Sequence, residues 1–137
     1  GGRALWALPA AFLGLMVAGG TAGMLGVGLP GIEICIAVSV LALGVALAVG
    51  VKYPLVAATI VVGLFGIGHG HAHGTEMPAM TSPLIYGCGF FAATALLHIA
   101  GLFAGLALIR SQRSAVVLRL SGAAISLAGL ALLFRAF

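Results

Sequence analysis

The chain has 137 residues, 63% of them hydrophobic and only 6% charged, with six Lys or Arg against two Asp or Glu. Apolar runs this long with so little charge exclude a soluble domain, and a formal net charge of +4 is used to orient helices in a bilayer rather than to bind nucleic acid. The expected class is all-α: one polytopic transmembrane helical bundle over residues 1–137, embedded in lipid.

A spanning helix needs about 20 apolar residues, and that ruler divides the chain into five spans at approximately 4–27, 32–51, 54–70, 83–109 and 115–134. The opening Gly1-Gly2-Arg3 has neither an initiator Met nor a signal peptide ahead of the first apolar run, so it is expected to be a processed or truncated end. The first span carries Gly19 and Gly23, a small-xxx-small pair that admits a second helix, and ends in Gly28-Leu29-Pro30-Gly31. The second begins at Glu33. Lys52 and Tyr53 mark an interface, and Pro54 suits the first turn of the third span.

The third span loosens into Gly63, Gly66, Gly68 and Gly70 as it approaches a cluster of histidines. Because glycine costs helix stability, partial unwinding is expected there. After a Pro-rich connection the fourth span carries His98, Gly101 and Gly105, and Arg110, Arg113 and Arg119 surround the last turn. With five spans, Arg3, Lys52, Arg110, Arg113 and Arg119 fall on one side and Arg135 on the other. The positive-inside rule then makes the first side cytoplasmic and puts the histidines on the outer face.

The candidate chemistry lies in His69-Gly70-His71-Ala72-His73-Gly74-Thr75-Glu76, which holds three of the four histidines and one of the two acidic residues. If these residues stay helical, His69, His73 and Glu76 fall within about 60° of one another and His71 points the other way. Imidazole and carboxylate suit first-row divalent ions, so these residues form a candidate metal site. The alternative is a histidine-rich surface loop that binds metal adventitiously.

Glu33 sits at a helix N-terminus, where it either caps the helix or supplies a second carboxylate. His98 shares a face with Thr94, Gly101 and Gly105; it is either a neutral imidazole bonded to a neighbouring helix or an inner stepping stone for an ion. Ser39, Thr59 and Thr94 are expected to bond their own backbone. Cys35 and Cys88 have no CxxC spacing and are expected to be packed as small buried residues.

The run Phe65 to Pro78 resembles the central motif of the HupE/UreJ family, bacterial membrane proteins associated with nickel supply to hydrogenase and urease. Pro30-Gly31-Ile32-Glu33 with Ile36 to Val40, Ala93 to Gly101, and the opening Gly1 to Trp6 resemble further family segments, so the likeness covers the whole chain. Gly68 stands where the family usually has Phe, and the family's first span, with its His-Pro and Asp-His motif, is not in this sequence.

The resemblance implies a nickel permease of the bacterial inner membrane, with cobalt or zinc as other candidate cargoes and no enzymatic activity. Within it, His69, His73 and Glu76 would capture the ion at the periplasmic face, Glu33 would support them and His98 would accept the ion deeper in the bundle. Ligand imidazoles must be neutral, so uptake is expected to weaken on acidification. The rivals are a non-transporting accessory protein that binds metal at the membrane and a haem-binding subunit of an oxidoreductase. Gly-lined faces also suit association into a homo-oligomer.

Overall fold

The computed structural model describes residues 2–50, 52–109 and 114–137. Five helices follow one another: α1 (Gly2–Met24), α2 (Ile32–Val49), α3 (Leu55–Thr75), α4 (Pro83–Ile109) and α5 (Ser114–Arg135). Each is long and apolar enough to cross a membrane, with mean hydropathy between 1.6 and 2.6. The protein is therefore an all-α, multi-pass membrane protein. Arg110 and Arg113, on which part of the expected charge asymmetry rests, lie outside the described residues.

The chain forms two compact units, Gly1–Ile32 with Pro54–Leu102 and Glu33–Tyr53 with Phe103–Phe137. The first is built on a seam between α1 and α3. A Cβ at Gly66 would lie 2.5 Å from the Phe12 carbonyl oxygen, and Cβ atoms at Gly70 and Gly74 would overlap the carbonyl oxygens of Met16 and Gly20. Each step of one turn on α3 is matched by one turn on α1, so the two helices run parallel in fixed register. From the other side, a Cβ at Gly19 would overlap the Ile67 carbonyl, and one at Gly23 would lie 2.5 Å from that of His71. Backbones meet here with no side chain between them, the contact by which helices associate where lipid is as apolar as leucine.

The same seam corrects the expectation of an unwound histidine segment and of a third span ending at residue 70. α3 is continuous to Thr75, with all three histidines of the motif inside it. The conformational cost of Gly66, Gly70 and Gly74 is offset because each lies against the α1 backbone. By contrast, Gly101 and Gly105, expected on a seam of close contact, have nothing within 4 Å of a built Cβ.

Beyond α1 the chain turns through Gly26 and Gly31, whose φ angles of +76° and +73° lie in the left-handed region. His71 ties this turn to α3. Its ring is only 2% exposed, and Nε2 donates to the Val27 carbonyl oxygen at 2.6 Å.

The second unit repeats the device with antiparallel helices. Gly44 of α2 meets Ser126 and Gly122 of α5, while Gly129 meets Leu41. Ser39 and Thr59 bond their own helix backbones at Ile36 and Leu55, as expected of hydroxyls in spanning helices. Cys35 is half-buried, but Cys88 is exposed on α4 rather than packed.

Replacing Gly70 by Leu is expected to destabilise the protein by at least about 1–3 kcal/mol, because the backbone of α1 must move away. Gly14→Ala, where a Cβ meets nothing within 4 Å, is the control and is expected to change little. His71→Ala, which leaves the Val27 carbonyl without its donor, is expected to cost about 1–3 kcal/mol. Thermal unfolding in detergent measures all three.

Candidate metal site

The helical continuity of α3 sets the site. His69 and His73 are one turn apart on the same face, with ring centroids 4.9 Å apart and planes at 71°, edge to face. Phe90 of α4 packs against both, 4.2 Å from His73 and 5.8 Å from His69. The Tyr86 hydroxyl, one turn before Phe90, donates to the His73 carbonyl oxygen at 3.1 Å and ties α4 to the last turn of α3.

Glu76 follows α3 directly, and its backbone N–H closes the helix on the Ala72 carbonyl. Its carboxylate Oε2 lies 4.0 Å from His73 Nδ1, too far for a hydrogen bond, and the two side chains are 71% and 37% exposed. The Glu76 carboxylate is thus free to swing toward an incoming cation or to orient the His73 ring. Both roles are within the chemistry of a carboxylate beside an imidazole.

His98 of α4 belongs to the same unit but stands further along the bundle, away from the Glu76 end. The ring of Phe12, whose backbone lies at the level of Gly66, is 5.1 Å from His98 and 5.5 Å from His69. His98 Nδ1 bonds the Thr94 carbonyl oxygen at 2.9 Å. A carbonyl only accepts, so Nδ1 carries the proton of the neutral ring and Nε2 keeps its lone pair. That is the tautomer and tethering found in metal-ligating histidines, whose second nitrogen donates to a backbone carbonyl or carboxylate.

The other two candidates are not brought into this group. His71 is turned to the opposite face of α3, and its buried Nδ1 has no hydrogen-bond partner. Glu33 belongs to the second unit, where it is exposed in the first turn of α2 and shares a cavity of about 220 Å³ with Arg135. Among the described residues, no three His, Cys, Asp or Glu side chains form a ready-made metal cage. The candidates that do come together are Glu76, His73 and His69 along α3, with the Phe12 ring touching both His69 and His98.

Phe12, Tyr86 and Phe90 escaped the reading of the sequence. Phe90 and His98 share a helix face through Thr94, and Phe12 lies one turn before Met16 on the face that meets α3. Those spacings were visible, but nothing in them singled out these aromatic residues among the chain's seven Phe and two Tyr.

Comparison with known proteins agrees with this architecture. The family model described as HupE / UreJ protein matches residues 1–132. The chain is 46% identical over 134 residues to Protein HupE of Rhizobium leguminosarum bv. viciae, a match that covers 97% of this chain and 69% of that protein. No solved structure matches the chain. With a five-helix membrane fold and a family model matched along nearly its whole length, the chain belongs to the HupE/UreJ family.

Proposed function

We propose that the protein is a permease for a divalent transition-metal ion, nickel or cobalt, in the bacterial inner membrane, serving hydrogenase or urease maturation. The observation that supports this reading is the group of imidazoles in one unit: His73 and His69 edge to face, and His98 against the same Phe12 ring as His69, with Nδ1 bonded to Thr94 so that Nε2 of the neutral ring keeps its lone pair. A doubly charged ion cannot cross hydrocarbon bare. It needs donors that replace its water one at a time, each bound weakly enough to release it.

Imidazole nitrogen supplies such donors for nickel, cobalt, zinc and copper, while magnesium and calcium favour oxygen. In this reading Glu76 and the His69–His73 pair take the ion from the periplasm, and His98 receives it on the way to the cytoplasm. The charge asymmetry of Arg3, Lys52, Arg110, Arg113 and Arg119 against Arg135 supports that direction. Glu33, which lines a cavity with Arg135 in the other unit, is left out of this series. His71 acts as the tether of the turn after α1 rather than as a ligand.

Uptake of radioactive nickel into cells expressing the protein tests the reading. Replacing His69 and His73 together by Ala is expected to reduce uptake to background, and wild-type uptake by that double variant would sink the proposal. His98→Ala is expected to lower uptake about tenfold or more while nickel still binds the purified protein. Binding by the wild type without any uptake would instead favour an accessory protein that holds metal at the membrane.

A further inference from the structure

We propose that Phe90 is a positioning residue for metal binding: its ring sets the planes of the two imidazoles of the His69–His73 pair, and Tyr86 holds it at their level; this rests on the reading above of His69 and His73 as ligands. Spacing along α3 places the two side chains on one face, but it does not fix the rings, because the terminal torsion of histidine is broad. A metal ion shared by the pair needs a lone pair from each ring turned to one point. Whatever sets the ring planes therefore sets the affinity.

Metal-ligating histidines are ordinarily oriented by a hydrogen bond from the second ring nitrogen. The rings of His71 and His98 make bonds of this kind to backbone carbonyls. Among the described residues, those of His69 and His73 have no such partner, and the Glu76 carboxylate, 4.0 Å from His73, is beyond hydrogen-bonding reach. What touches them instead is aromatic. The Phe90 ring lies 4.2 Å from His73 at 40° and 5.8 Å from His69 at 31°, while the two imidazoles stand at 71° to each other. Phe12 packs on His69 from α1, so among the described residues Phe90 is the ring that bears on both members of the pair.

Tyr86 fixes the height of that ring. Helix α3 ends at Thr75, so carbonyls of its last turn lack partners within the helix. The Tyr86 hydroxyl donates to that of His73 at 3.1 Å and provides one. Tyr86 and Phe90 are one turn apart on the same face of α4, so the bond that closes the end of α3 also keeps α4 from sliding past His73. Phe90 and both histidines are half-buried, which leaves part of each imidazole open to an arriving ion. The flat face of the ring is what the role requires. An aliphatic side chain in its place fills space but lets the imidazoles turn, and that freedom is lost on binding.

The test is binding of nickel and of cobalt to the purified protein, with the visible spectrum of bound cobalt reporting the ligand geometry. Phe90→Leu is expected to fold, to weaken nickel binding about tenfold or more and to change the cobalt spectrum. Phe90→Tyr, which keeps the ring, is expected to restore both. Tyr86→Phe, which removes only the hydroxyl, is expected to give a smaller loss in the same direction.

A Phe90→Leu protein that folds with wild-type affinity and spectrum overturns the positioning role and leaves the ligands standing. Should that variant not fold, wild-type affinity and spectrum in Tyr86→Phe overturn it instead. Nickel binding that survives joint replacement of His69 and His73 by Ala overturns the ligand reading, and the role of Phe90 falls with it.

Discussion

The first unit depends on backbone meeting backbone between α1 and α3. Without Cβ atoms at Gly66, Gly70 and Gly74, the carbonyls of Phe12, Met16 and Gly20 come into contact with α3, and the two parallel helices are locked in register. Everything chemical in this unit follows from that lock. It keeps α3 helical through Thr75, which puts His69 and His73 on one face and His71 on the other. It also sets the Phe12 ring against His69, so a residue of α1 packs on the histidines of α3 and α4.

The number and order of the helices were legible in the sequence, because five apolar runs separated by Gly, Pro and charged residues leave little choice in a bilayer. The facing of His69 and His73 was legible for a similar reason. Positions four apart share a helix face whatever the surroundings. Family likeness was legible in the histidine motif itself, and comparison over nearly the whole chain agrees with it.

What the sequence hid was tertiary. Glycine in a helix reads as a weakness when the helix is taken alone, so the run from Gly63 to Gly70 suggested unwinding. Packed against another backbone, the same glycines become the means of close approach, and the helix persists. Gly101 and Gly105 show the converse: the same kind of spacing, with nothing against it. Phe12, Tyr86 and Phe90 were hidden for the same reason, since an aromatic residue in an apolar span acquires a role only when its neighbours across the interface are known.

The glycine seam also divides α3 into two faces that tolerate change very differently. Any amino-acid replacement at Gly66, Gly70 or Gly74 adds at least a Cβ, and there a Cβ meets the main chain of α1, which no choice of rotamer can move aside. Ile60, Val61 and Leu64 on the exposed part of the same helix can exchange among apolar residues at little expense. Across related sequences α3 should therefore drift freely on its lipid side and stand still on the seam. An alignment would show that stillness at residues which bind nothing, and a search for ligands by invariance alone would mistake the seam for part of the site.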